Sequence, residues 1–175
     1  MKRSFIISML ALLPFLQSCS ETLDPLFFVT VEREFDIPTN LNTLETHFFQ
    51  LKSIPVRLDE NLSLYNRSQD DVVSINPGDA ALTAGIGNVD FTFIERIEVF
   101  VVSRLDSSLK RRVFHSYEPD FSNRSKLVLF NSFIDIQDII KEGLIDLEVR
   151  IKTRTFVPGN VKARLTFNYA VFDTE

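Results

Sequence analysis

The sequence has no tryptophan, a single cysteine and only three tyrosines among its 175 residues. One cysteine excludes a disulfide bond within the chain. The lack of tryptophan and the few tyrosines count against a sugar-binding face built from stacked aromatic rings. No apolar run approaches the ~20 residues that a membrane-spanning helix needs. The domain must therefore be held together by its core, which the 17 phenylalanines should dominate.

The composition is that of a globular, acidic protein. Apolar residues make up 45% of the chain and charged residues 25%, and the length suits one domain. The formal net charge is −5, and removal of Lys2 and Arg3 would make it −7. This charge argues against a nucleic-acid partner bound through bulk electrostatics.

The first residues have the layout of a signal peptide. Lys2 and Arg3 form a short positive segment, and an apolar run at 5–16 follows. The run is too short to cross a bilayer comfortably, and its length and flanks are those of the apolar region of a signal peptide. We therefore exclude this segment from the fold.

The residues that follow indicate which kind of signal it is. Leu16-Gln17-Ser18-Cys19 resembles the lipobox of bacterial lipoproteins, with a leucine three residues before the cysteine and a small residue directly before it. The resemblance implies a diacylglycerol on the Cys19 thiol, cleavage before Cys19 and acylation of the new N-terminus. It predicts a signal peptide at 1–18, a lipidated tether at 19–25 and a single domain at 26–175. The alternative is an ordinary secretory signal cut near Ser18.

The residues after the cysteine bear on location. Ser20 and Glu21 resemble residues that favour onward export of Gram-negative lipoproteins, and the chain is similar to envelope lipoproteins of the Bacteroidota. The likeness implies a cell-envelope protein, anchored by lipid in the outer membrane, with the leaflet left open. The membrane would then be one partner, through the acyl chains.

Alternation of apolar and polar residues predicts that most of the remaining chain is β-strand. The predicted strands are 27–37, 46–53, 72–76, 80–83, 94–105, 112–117, 126–130, 145–152 and 161–171. Two short helices are predicted, one after Pro55 and one between Asp135 and Gly143. The fold class is therefore all-β: an antiparallel β-sandwich, immunoglobulin- or fibronectin-like in general architecture, with one or two short helices. A small β-barrel is the alternative.

The two most regular strands, 145–152 and 161–171, are predicted to form a hairpin. A two-residue loop would set the apolar face of one strand against the polar face of the other, which the alternation of side chains forbids. A three-residue loop at 158–160 pairs Val157 with Val161 and Ile151 with Phe167. We therefore predict the odd-length loop.

This register would collect basic side chains on one face. They are Arg150, Lys152, Arg154, Lys162 and Arg164. Arg154 would lie opposite Arg164, and like charges across a ladder are destabilising. The functional interpretation is an anion-binding face for an acidic glycan, a phosphorylated glycolipid or an acidic protein. The structural interpretation, which we favour, is a solvated face offset by a neighbouring acidic strand with Glu32, Glu34 and Asp36.

No motif predicts catalysis. His47 and His115 fall on separate predicted strands, with no Cys, Asp or Glu at metal-ligand spacing. No Gly-x-Ser-x-Gly elbow is present, and a lipidated Cys19 could not act as a nucleophile. We predict no catalytic, cofactor or metal residue, and interpret the chain as a non-enzymatic interaction or structural module. A glycan-binding accessory protein and a hydrolase with a dispersed site are the alternatives.

Overall fold

The computed structural model describes residues 24–117, 119 and 125–174. The predicted signal peptide and Cys19 lie outside the described residues. Within these residues the chain folds into eight strands, which are β1 (Phe27–Ile37), β2 (Thr46–Pro55), β3 (Val72–Ala84), β4 (Ile94–Ser103), β5 (Lys110–Tyr117), β6 (Lys126–Asn131), β7 (Leu144–Thr153) and β8 (Val161–Asp173). Two short helices are α1 (Leu58–Leu64) and α2 (Gln137–Ile140). Single 3-10 turns span Gln69–Asp71 and Phe91–Phe93.

All the strand pairs are antiparallel and belong to one sheet, in the order β1-β8-β3-β6-β5-β4-β7-β2. The link in the middle is short, because among the described residues β5 and β6 pair only at Phe114 with Asn131 and at His115 with Phe130. The outer strands β1 and β2 approach each other, and the rings of Phe35 and Phe49 lie 5.3 Å apart. The sheet is therefore nearly closed. The all-β prediction with short helices is confirmed, and the barrel alternative describes the sheet better than two separate layers.

The core lies inside this barrel-like sheet and comes from alternate residues of each strand. Along β8, Val161, Ala163, Leu165, Phe167, Tyr169 and Val171 are all buried. The Tyr169 hydroxyl donates a hydrogen bond to the Val56 carbonyl, and burial raises the pKa of this phenol above its ordinary range. A buried hydroxyl needs such a partner, since its desolvation is otherwise uncompensated.

The helices close one end of the barrel. The chain enters β1 at this end, where the Leu26 N–H donates to the Val171 carbonyl at 2.8 Å. We call it the proximal end, and the end that carries the β1–β2 and β7–β8 loops the distal end. Leu58 and Leu62 of α1 are buried, as are Ile139 and Ile140 of α2. The predicted N-cap at Asp135 is displaced by one residue, because the N-cap of α2 is Ile136. The Asp135 carboxylate still accepts the Gln137 N–H at 2.9 Å, just before the helix.

The predicted hairpin between 145–152 and 161–171 is wrong. β7 pairs with β2 and β4, whereas β8 pairs with β1 and β3, so β2 and β1 separate them where the sheet nearly closes. Both strands are central, and each has its two edges occupied by other partners. The residues at 154–160 cross the distal end instead of forming a tight turn. The length of a loop restricts the register of two strands only when those strands pair with each other.

The predicted break at Pro77 is also wrong. The pieces 72–76 and 80–83 belong to the single strand β3, and a bulge between Pro77 and Ala80 shifts its register against β8. At this bulge the Asp79 N–H donates to the side chain of Asn168 at 2.8 Å. Proline removes one ladder hydrogen bond, and the bulge allows the strand to continue past it.

Candidate binding face

The sheet separates the predicted basic residues into two groups. Arg150 and Lys152 lie on β7 and Arg154 follows it, whereas Lys162 and Arg164 lie on β8. Since β7 and β8 are not neighbours, Arg154 does not oppose Arg164. The five residues therefore do not form one face.

On β8 the basic residues are neutralised by the acidic strand β1. Glu34 lies opposite Arg164 and Asp36 opposite Lys162 in the register. Arg164 contacts Glu34 at 2.7 Å and Glu32 at 3.1 Å. The hydrogen bond from Arg164 lowers the pKa of the Glu34 carboxyl below its ordinary value. The structural interpretation of these two residues, a solvated face offset by β1, is confirmed.

Arg154 serves the distal end of the barrel. Its backbone N–H donates to the Phe93 carbonyl at 2.8 Å, and its Nε donates to the Ile94 carbonyl at 3.2 Å. These bonds fasten the start of the β7–β8 loop to the start of β4. The role of this residue is therefore structural.

Arg150 has a different environment on the outer face of β7. Its guanidinium carbon lies 5.2 Å from the ring centroid of Phe48 on β2 and 4.2 Å from that of Phe100 on β4. Its Nε donates to Glu148 at 2.7 Å. Within the described part of the chain its two terminal Nη nitrogens have no hydrogen-bond partner, and the side chain is 28% exposed. The guanidinium is thus held between two rings with its fork of donors available.

Lys110 completes this arrangement from β5. Its Nζ lies 2.8 and 3.0 Å from the two oxygens of Glu148 and 5.2 Å from the Phe100 ring centroid. Burial alone would raise the pKa of Glu148, but hydrogen bonds from Lys110 and Arg150 outweigh it and the pKa is lowered. We call Phe48, Phe100, Lys110, Glu148 and Arg150 the Arg150 site.

A second polar cluster adjoins the site on β4 and β5. The Tyr117 hydroxyl donates to Glu98 at 2.9 Å, and Arg112 contacts Glu98 at 3.1 Å. His115 packs against Tyr117, with ring centroids 5.1 Å apart. Its Nδ1 is buried and has no partner among the described residues. This cluster extends the charged and aromatic surface along β4 and β5 toward the distal end.

A depression of about 380 Å³ opens beside the site, toward the proximal end. Its charged and polar lining includes Gln50, Lys52, Ser53, Arg104, Lys110, Asp146 and Glu148. Ser53 sits in the β2 bulge with φ 57°, and its N–H donates to Asp146 at 2.8 Å. Left-handed backbone at a non-glycine residue and bulges both concentrate at functional sites.

No protein-family model matches the chain, and no curated protein matches it. None of the helices in the described ranges is long and apolar enough to span a membrane. The structure also brings together no group of three or more His, Cys, Asp or Glu side chains, within residues 24–117, 119 and 125–174, that could hold a metal ion. The functional proposal below therefore rests on the geometry and the charges of the Arg150 site.

The sequence pattern indicated Arg150 but not its partners. Phe48 and Phe100 are ordinary apolar positions in the sequence, and Lys110, the first residue of β5, lies outside the strand predicted at 112–117. Only the register, in which Phe48 opposes Arg150 and Phe100 opposes Glu148, places them together. One signal was available in the sequence. Phe100 is a large apolar residue on the opposite face of β4 from the buried Val99 and Val101, which places an aromatic ring on the outer face.

Proposed function

We propose that this protein is a membrane-anchored envelope lipoprotein that acts as a non-enzymatic binding module. The Arg150 site binds a carboxylate or phosphate group of an anionic envelope glycan or glycolipid. The lipid on Cys19 holds the domain at the outer membrane. The observation that supports the binding role is the guanidinium between Phe48 and Phe100, with both Nη nitrogens unengaged by the described residues.

The physical reason is preorganisation. A guanidinium offers a planar fork that matches the two oxygens of a carboxylate or phosphate. The contacts with the two rings restrict the guanidinium before an anion arrives, so less conformational entropy is lost when the anion binds. Glu148 takes up only the Nε, and Lys110 balances the charge of Glu148. The anion would therefore not have to displace an existing ion pair.

The neighbouring depression suits the rest of such a ligand. Lys52 and Arg104 bring additional positive charge, and Gln50, Ser53 and Asp146 offer polar groups to sugar hydroxyls. A volume of about 380 Å³ is within the range of small-ligand sites. An acidic sugar could thus place its anionic group at Arg150 and its ring in the depression.

The test is calorimetric titration of the unlipidated domain with three oligosaccharide probes. One probe contains uronic acid, one is phosphorylated and one is neutral. We expect the acidic probes to bind and Arg150→Gln to weaken them at least about 10-fold, as the loss of charge-assisted hydrogen bonds implies. Arg150→Lys should recover little, because it restores the charge without the fork. Arg164→Gln is the matched control, since its guanidinium is already paired with Glu32 and Glu34.

The outcomes separate the alternatives. Equal affinity of the native protein and Arg150→Gln for the acidic probes would contradict the proposal. Binding of the neutral probe that Phe48→Ala abolishes and Arg150→Gln spares would favour a glycan-binding accessory protein. Cleavage of any probe, detected by chromatography after incubation, would favour the hydrolase. Arg150-dependent crosslinking to a protein in intact cells, without glycan binding, would favour a protein partner.

A further inference from the structure

Four exposed apolar side chains surround the point where the chain enters the barrel. Phe28, Leu64, Tyr65 and Val73 are 59, 78, 48 and 49% exposed. Phe28 is the second residue of β1 and Val73 the second of β3, and the other two end α1. All four therefore belong to the proximal end. Exposed apolar side chains also occur at the distal end, at Leu44, Ile86 and Phe156, so exposure alone does not mark an interaction surface. The proximal four are distinguished by their position where the chain enters the barrel.

Contacts between neighbouring residues tie together the elements that carry these four. The ring of Tyr65 stacks on Phe27 at 5.2 Å, which ties the end of α1 to the start of β1. Arg67 contacts Asp173 at 2.8 Å, and Asp173 pairs with Val72. The end of α1, the starts of β1 and β3 and the end of β8 thus form one rim. We call Phe28, Leu64, Tyr65 and Val73 the proximal rim.

The length of the tether determines what lies next to this rim. Asp24 follows Cys19 by five residues, and a fully extended chain of that length spans at most about 18 Å. A strand such as β1, with 11 residues, is roughly 35 Å long. The bilayer that holds the acyl chains can therefore reach the proximal end but not the distal end.

We propose that the proximal rim docks on the lipid bilayer and inserts its side chains at the headgroup level. This inference rests on the proposed lipid anchor at Cys19. Leucine and phenylalanine gain from leaving water, and tyrosine suits the boundary between headgroups and acyl chains. Four such side chains would bind a vesicle weakly alone. The anchor makes the contact intramolecular, so that weak affinity is enough.

The charges near the rim select the kind of lipid surface. Asp59, Glu60, Asp70 and Asp71 lie in α1 and in the turn that precedes β3. These carboxylates would be repelled by anionic headgroups, whereas a zwitterionic surface does not oppose them. Docking therefore depends on apolar contact and is not strengthened by anionic lipid.

The experiment uses the lipidated full-length mature protein in phosphatidylcholine vesicles. Because the chain has no tryptophan, Leu64→Trp places a unique fluorescent reporter on the rim. Phe156→Trp, in the exposed distal loop, is the matched control. We expect brominated acyl chains to quench the rim reporter by at least half, with a blue-shifted emission, and to leave the distal reporter unchanged. Replacing Phe28 and Val73 by Ser in the Leu64→Trp protein should lower the quenching at least twofold, with the circular dichroism unchanged.

Vesicle flotation separates the two proposals. A protein that does not float has no anchor, which overturns the proposed function at Cys19 and the docking with it. A protein that floats while the rim reporter is quenched no more than the distal reporter overturns the docking alone. Quenching of the rim reporter that requires added phosphatidylglycerol would also overturn it, because the contact would then be electrostatic.

Discussion

At the scale of single residues, side chains of one type take different roles because of their cross-strand neighbours. Arg164 is held by two carboxylates of β1, and such exposed pairs contribute little to stability. Arg154 is used for backbone hydrogen bonds at the distal end. Only Arg150 has rings on both sides and free Nη nitrogens within the described residues. Its position in the ladder, and not its charge, makes it a candidate ligand-binding residue.

His115 illustrates the same effect on a titratable group. Burial is the main cause that lowers the pKa of its imidazole from the ordinary 6.5, the charge of Arg112 lowers it further, and Glu98 partly opposes both. Below pH 6.5 the unfolded chain therefore binds a proton that the folded protein does not yet take up. The free energy of unfolding consequently falls as the pH drops from about 6.5 toward the folded-state pKa.

We predict that urea unfolding will show this loss and that His115→Gln will reduce it. The fall in the free energy of unfolding between about pH 7 and about pH 5.5 should be smaller in the variant, because the histidine that takes up the proton on unfolding is gone. A proton NMR titration supplies the direct measurement, and His47→Gln assigns the two histidine signals. A folded-state pKa of His115 at or above the ordinary 6.5 would contradict the prediction.

At the scale of elements, strand β3 depends on close packing at its bulge. A Cβ at Gly78 would lie 2.0 Å from the Asn168 side-chain oxygen, the same atom that accepts the Asp79 N–H. The bulge therefore needs a glycine for space. Gly159, in the loop between β7 and β8, has nothing within 4 Å of an added Cβ.

We predict that Gly78→Ala lowers the free energy of unfolding by about 1–3 kcal/mol, the usual cost of overpacking. Gly159→Ala should change it by less than about 0.5 kcal/mol, as surface substitutions do. Urea denaturation measures both. In an Asn168→Ala background the Gly78→Ala cost should shrink, because the clashing group is gone. An unchanged cost there would show that the close approach to Asn168 is not its cause.

At the scale of the whole molecule, the barrel places the proposed attachment and the proposed binding on different surfaces. The chain enters at the proximal end, whereas the Arg150 site lies on the outer face of β2, β4, β5 and β7. The proposed short tether at that end would leave the outer face open to envelope polymers. This division of surfaces suits a module that is held in place and binds a ligand from the side.

We predict that the anchor depends on Cys19 alone, since the chain has no other cysteine to acylate. Metabolic labelling with a palmitate analogue should label the native protein, and Cys19→Ala should lose the label and leave the membrane fraction. Ser20→Ala is the control and should keep both. A Cys19→Ala protein that is still labelled and membrane-bound would contradict the lipoprotein proposal.

The sequence by itself determined the elements whose signals are local. Alternation, broken only at Arg33, marked β1 with its observed ends, and alternation marked β7 and β8 within a few residues. A run of residues that are apolar on both faces marked β4 equally closely. Asp135 and Gly143 marked α2, because capping groups act within one turn. The acidic pattern of β1 also correctly indicated what offsets Lys162 and Arg164.

Only the tertiary structure decided which strands are neighbours. Period-two alternation says which side chains share a face but carries no information on the partner across the ladder. Two regular strands joined by a short segment therefore suggested a hairpin, yet each found two other partners. The same pairing built the Arg150 site from Phe48, Phe100 and Arg150, which are far apart in sequence. They meet because β7 lies between β2 and β4, a long-range arrangement that no local spacing encodes.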